Sequence, residues 1–243
     1  MKISTPKSRF HLSINKKDRV LEVGGGHNPH PRSNVVVDKY TDDNTHRAAD
    51  LKVLKNQQFM QADGEALPFK DKEFGYVICC HVLEHVPNPE KFISEQTRVA
   101  SRGYIETPSL LGEYLSPKKS HKWVLLSIDD KIVMYDKAVI GFDPILDFGY
   151  LFLRYLPKHA MGWKILQRTH PEIMTMNFEW KDNIELLVNP ADPYYLKYFK
   201  EPWNQEFSDK FITHRSQGSE VRAALRSMRE IMSSVFRNKV SKK

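Results

Sequence analysis

Four short apolar runs, each followed at once by glycine, an acid or a histidine, constrain this chain more than any other feature. Arg19–Val23 runs into Gly24-Gly25-Gly26, and Val35–Val37 ends on Asp38. Gln58–Ala62 meets Asp63-Gly64-Glu65, and Tyr76–Cys80 meets His81. Their length and β-branched content predict strands. Tyr76-Val-Ile-Cys-Cys80 carries no charge, as a strand covered on both faces requires. Pro89–Ala100 has helical spacing in Phe92, Ile93, Gln96 and Val99, with Asn88 placed as its N-cap. Gly103–Thr107 reads as a fifth strand closed by Pro108. Apolar runs alternating with polar connections predict an α/β fold, doubly wound around a mostly parallel sheet.

Residues 1–109 form the ligand-binding half on this reading. Residues 110–173 are too many for one crossover helix and rich in aromatics such as Trp123, Tyr135, Phe148 and Trp163. They are expected to add a cap over the carboxyl edge of the sheet. Residues 174–189 hold two β-type runs, Thr175–Trp180 and Ile184–Val188, joined by Lys181-Asp182-Asn183 as a hairpin. In the extension 190–243, prolines at 190, 193 and 202 predict irregular chain up to Gly218, then a helix from Ser219 to about Arg237.

Bulk properties narrow the class. Among the 243 residues, 40% hydrophobic and 28% charged residues match a globular domain. No run approaches the ~18 apolar residues of a membrane span. The first residues lack the apolar core of a signal peptide, so the expected location is cytoplasmic. The only two cysteines, Cys79 and Cys80, are adjacent and point to opposite faces of a strand, which disfavours a disulfide. Much of the net charge of +7 is concentrated beyond Arg215, in Arg222, Arg226, Arg229, Arg237, Lys239, Lys242 and Lys243. It belongs to the tail, and no DNA partner is expected.

The strand ends carry the chemistry, because ligands of open α/β sheets bind there. Glycines let backbone approach a ligand closely and turn sharply. Asp38 can accept both hydroxyls of a ribose, or cap a turn. Asp63, with a free backbone N–H beside it, can pair with an adenine edge. Each feature has a dull explanation alone; their order along successive strands is what counts.

With those residues in view, VLEVGGGH, VVVDKY, ADGEALPF, YVICCHVLEHVPNPEKF and RGYIETPS together resemble the class I S-adenosylmethionine-dependent methyltransferases of the small-molecule type, across residues 18–109. The resemblance implies a seven-stranded Rossmann-like sheet and S-adenosylmethionine as cofactor. It places Glu22, Gly24, Gly25 and Gly26 around the methionine moiety and Asp38 on the ribose. Asp63, Gly64 and Glu65 would frame the adenine, and Cys80 and His81 would flank the sulfonium. The chain departs from the family in one place. Only His27–Asn34, with two prolines, separates the glycines from the second strand, so the usual helix cannot fit. Arg32, His27 or Asn28 are candidates to replace its positive dipole.

If the acceptor is a hydroxyl, a nearby base helps, and His81, His85 and His121 are the candidates, with Glu106 as a further substrate-binding or basic group. The expected activity is O-methylation of a small molecule, sugar or glycan. RNA or protein methylation and a non-catalytic cofactor-binding role are the alternatives. Against nucleic acid, the fifth strand ends in Glu-Thr-Pro-Ser, and no RNA-binding module is recognisable. The histidines show no accompanying ligand set at metal spacing, so no metal site is expected. Val221, Leu225, Met228, Ile231 or Met232, and Val235 or Phe236 give the final helix an apolar side. That side suits docking, a homodimer, or an anionic membrane surface.

Overall fold

The computed structural model describes residues 1–41 and 49–240, with backbone alone for 235–240. The tail positions Val235, Phe236, Arg237, Lys239, Lys242 and Lys243 therefore lie outside the described side chains. Among the described residues ten strands form two sheets: β1 (Lys2–Ser4), β2 (Val20–Val23), β3 (Val35–Asp38), β4 (Gln58–Gln61), β5 (Tyr76–Cys80), β6 (Arg102–Pro108), β7 (Trp123–Ile128), β8 (Lys131–Asp136), β9 (Thr175–Lys181) and β10 (Leu186–Val188). The larger sheet has the order β1-β9-β6-β5-β2-β3-β4. Its β4, β3, β2, β5 and β6 run parallel, and β9 runs antiparallel to β6 and β1. Strand order reverses between β2 and β5, which opens a crevice at their carboxyl ends. This is the expected seven-stranded, doubly wound α/β sheet. Its seventh strand comes from residues 2–4, which carry no recognisable strand signal of their own.

The two faces of this sheet are covered differently. One face packs Leu21, Val23, Val35, Val37, Val77, Cys79, Ile105, Phe178 and Trp180 against helix α1 (Pro89–Val99) and against Trp123, Leu125, Ile132 and Met134 of the second sheet. Helix α1 follows the predicted pattern. Pro89 stands in its first turn, Asn88 Oδ1 accepts from Lys91 N, and Phe92, Ile93, Gln96 and Val99 are buried. The opposite face presents Val20, Tyr76, Ile78, Cys80 and Tyr104 to Leu12 and Ile14 of the N-terminal segment. Polar groups fasten that segment down. Ser13 N and Oγ donate to Glu179 Oε1, Ser4 Oγ donates to Glu179 Oε2, and the Tyr76 hydroxyl donates to Glu179 Oε1 at 2.6 Å. An irregular strap thus does the covering on this side.

The connection between β6 and β9 differs from the crossover-helix reading of 110–173. It starts with the short α2 (Leu110–Leu115) and then forms a β7–β8 hairpin turned by Asp129 and Asp130, both at positive φ. Helices α3 (Lys137–Ile140), α4 (Leu156–His159) and α5 (Met161–Thr169) follow. Leu153, Arg154 and Gln167 of this connection line the crevice.

The 174–189 hairpin is corrected. Strand β9 forms as predicted, but β10 pairs in parallel with β8, at Leu186–Ile132, Leu187–Val133 and Val188–Met134. Both edges of β9 are already taken by β6 and β1, so a second strand has nowhere to pair on it. The irregular reading of 190–218 is corrected as well. Helices α6 (Pro193–Lys200) and α7 (Gln205–Phe211) cover the outer side of the small sheet through Tyr198, Phe199 and Phe207. Pro193 opens α6 and does not break it, with Asp192 accepting from Tyr194 N as its cap. Helix α8 (Gln217–Val240) packs on α5. It buries Ser227 and Ile231 while leaving Val221, Leu225 and Met232 exposed. No helix among the described residues is long and apolar enough to cross a membrane.

Candidate active site

A cavity of about 790 Å³ lies at the carboxyl ends of β2, β3, β5 and β6, within the range of small-ligand sites. The glycine turn, Asp38, Asp63, Gly64, Glu65, Cys80, His81, His85 and His121 all line it. Residues far apart in sequence therefore share one crevice, as the strand-end reading requires.

Gly24 and Gly26 take positive φ (73° and 52°), a region glycine enters without penalty. A Cβ on Gly24 would overlap Val82, and one on Gly64 would overlap the Phe92 ring. Backbone at both places forms a cradle that side chains would fill. Asp38 Oδ2 accepts from Gly26 N at 3.2 Å and Oδ1 from Tyr40 N at 3.1 Å, so this carboxylate closes the glycine turn from the next strand. Asp63 Oδ1 accepts from Glu65 N, and Oδ2 pairs with Lys39 Nζ at 2.7 Å. Desolvation would raise the Asp63 pKa, and Lys39 with the Glu65 amide outweighs it and lowers it. Glu65 Oε1 accepts from Asn88 N, tying this turn to the start of α1.

Glu22 lies buried beneath the glycine turn. It does not line the cavity. Its buried carboxylate accepts from His30 N and Ser33 Oγ, both at 2.7 Å, and pairs with Arg9 at 3.2 Å. It holds the helix-less segment 24–34 against the sheet. Arg32 is also displaced: its guanidinium donates to Asn15 O. Among the described residues, Arg9 is a cation beside the glycine turn; it lines the cavity and donates to Asn28 O at 2.9 Å. No local signal marked Arg9. It reaches the site only because the N-terminal strap crosses the sheet.

The other end of the cavity is dense in histidines and carboxylates. His81 adopts φ +57°, strained for a residue with a Cβ. Its Nδ1 lies 3.3 Å from Glu84 Oε1 and its Nε2 3.3 Å from Glu106 Oε1. Desolvation alone would lower the His81 pKa, but hydrogen bonding and charge from Glu106 and Glu84 outweigh it and raise it to about 10. Glu106 is lowered despite desolvation, through His81 and the Tyr104 hydroxyl, which donates to its Oε2 at 2.5 Å. Cys80 lines the cavity as an inert thiol, because burial pushes its pKa well up.

His85 and His121 meet edge to face with ring centroids 4.6 Å apart. His121 is 8% exposed and so is no surface loop residue. Lys122 N and Trp123 N both donate to Glu84 O, which pins the start of β7 to the turn after β5. Ligand atoms of Glu84, His85 and His121 all lie within 4.8 Å of one another. Sequence spacing hid this, since His121 arrives from beyond β6.

Residues 32–105 match the methyltransferase domain family. An uncharacterised protein of Methanocaldococcus jannaschii is 44% identical over 64 residues, covering 24% of this chain and 31% of its own length. Among solved structures, a protein of Bacillus halodurans C-125 is 26% identical over 40% of this chain and 47% of its own, with a TM-score of 0.32. A SAM-dependent methyltransferase of Methanosarcina mazei is 16% identical over 49% of this chain and 71% of its own, with a TM-score of 0.33. The chain thus spans less than half the length of the first two. The matched residues 32–105 hold β3, β4, β5 and most of β6, which build the crevice together with β2, and this part of the chain is similar to a methyltransferase domain.

Proposed function

We propose that the protein transfers a methyl group from S-adenosylmethionine to a hydroxyl oxygen of a small molecule or sugar-containing acceptor. The observation that carries this reading is a single cavity joining two chemistries. Glycine backbone, Asp38 and Asp63 suit an adenosyl ligand at one end, and Glu106, His81, His85 and His121 suit a polar acceptor at the other. When bound, the cofactor supplies an activated methyl on a sulfonium: the acceptor oxygen forms the new C–O bond as the S–C bond breaks, and its electron pair stays on sulfur. The protein's task is then alignment and exclusion of water. Asp38 and the glycine turn orient the donor, and Arg154, Gln167 and Lys118 add polar groups to the cavity lining. Glu106, which lines the cavity, is the group positioned to take the hydroxyl proton.

Calorimetry with S-adenosylhomocysteine tests the shared premise, since no heat at high protein concentration would remove it. A screen with labelled methyl donor against sugars, lipid-linked glycans, small alcohols and RNA then tests the acceptor, and label on RNA alone would refute the small-molecule reading. Asp38→Ala is expected to weaken S-adenosylhomocysteine by about 1–3 kcal/mol, because ribose hydroxyls lose their acceptor. Unchanged affinity would show that Asp38 does not hold the ribose.

A further inference from the structure

We infer that Glu84, His85 and His121 bind one divalent transition-metal ion in the wall of the cavity. The three come from two segments locked together by backbone. Besides the bonds from Lys122 N and Trp123 N to Glu84 O, Trp123 Nε1 donates to Val86 O at 2.8 Å. Their ligand atoms lie within 4.8 Å of one another. Ligands held ~2.1 Å from a metal stand roughly 3–4 Å apart, so small side-chain adjustments close the set.

The protons are arranged for metal binding. His85 Nδ1 lies 2.9 Å from Ser120 O, a carbonyl that can only accept, so Nδ1 carries the hydrogen. His121 Nδ1 lies 2.6 Å from Glu113 Oε2 and donates to that carboxylate. In each ring Nε2 is then the basic nitrogen. A histidine that donates its far N–H to a carbonyl or carboxylate is the usual outer support of a metal ligand. Glu113 is itself fixed, accepting from Lys137 Nζ and from Lys118 N.

Glu84 supplies the independent observation. It is 1% exposed, and no donor meets either carboxylate oxygen at full hydrogen-bond geometry, the nearest charged ring being His81 at 3.3 Å from Oε1. A carboxylate buried in this way costs several kcal/mol unless a cation compensates it. His81 stands 3.3 Å from one oxygen but is shared with Glu106, so the acid keeps capacity to coordinate.

Two imidazoles and one carboxylate form a borderline donor set. It favours zinc, cobalt, iron(II) or manganese over magnesium or calcium, which prefer all-oxygen shells. Three protein ligands beside an open cavity match a catalytic site with exchangeable positions rather than a closed structural one. What the ion would do rests on the transferase reading: a bound acceptor hydroxyl becomes more acidic beside the metal and surrenders its proton at lower pH. That the ion binds does not rest on it.

The test uses the full chain, stripped with chelator and titrated with cobalt(II) and then zinc(II). One equivalent of cobalt is expected, with visible d–d absorption that zinc abolishes. Glu84→Gln and His121→Asn, judged folded by their melting transitions, should each bind at least 100-fold more weakly. Glu113→Gln should lose about 10- to 100-fold by releasing the His121 ring. Absence of stoichiometric binding by either metal, or binding that survives both ligand variants, overturns the assignment. Calorimetry with S-adenosylhomocysteine on the same sample separates the two ideas. Metal bound without cofactor heat keeps the site and removes the transferase, and cofactor heat without metal does the reverse.

Discussion

Gly24→Ala is expected to weaken S-adenosylhomocysteine binding by at least tenfold while leaving the chain folded. Two costs combine at this position. Gly24 sits at φ +73°, where an L side chain costs about 1–2 kcal/mol. The added Cβ would also overlap Val82, a residue of the cavity wall, and overpacking of this kind costs about 1–3 kcal/mol. The turn can relieve both by moving, and movement pulls Gly26 N away from Asp38. The damage therefore falls on the ligand site more than on the core. A second substitution separates the two costs. Val82→Ala in the Gly24→Ala background should recover the overlap part but not the backbone part, and a double-mutant cycle by calorimetry reads the difference. Wild-type affinity in Gly24→Ala would mean that the turn does not meet the ligand.

His30 should make the fold acid-sensitive well above the range where carboxylates usually act. It is 5% exposed, stacked on Phe10, and its Nδ1 accepts from Arg32 N. Burial first, and then the charges of Arg9 and Arg32, lower its pKa from 6.5 to about 4. The folded protein thus resists a proton that the unfolded chain takes up. Stability from this group is full above about pH 6.5 and falls as pH drops toward 4, by about 3 kcal/mol in all. Glu22, which accepts from His30 N, works in the opposite direction, because burial raises its pKa above 4.5. The comparison that isolates His30 is urea unfolding of the wild type and His30→Gln at pH 7 and pH 5. The variant should lose less stability between the two; equal losses would show that His30 titrates normally.

The first half of the chain was legible because each of its signals is local. A β-branched run between a turn and a glycine has few alternatives, so β2, β3, β5 and β6 lie where residues 19–23, 35–38, 76–80 and 103–107 predict. Asn88 before Pro89 announced α1 in the same way. The second half misled where local chemistry has two outcomes. Pro193 could end a helix or start one, and it starts α6. The run at 184–188 could pair with its neighbour or elsewhere, and occupied edges on β9 decided that it joins β8.

By itself, then, the chain's sequence determined the parallel sheet, its ligand edge, and the glycine and aspartate positions around the crevice, because turn geometry and β-propensity act over a few residues. Only tertiary structure decided which cation serves the glycine turn, what covers the second face of the sheet, and that His121 meets Glu84 and His85. Those outcomes depend on segments distant in sequence meeting at fixed separations, and no local pattern encodes a distance of that kind.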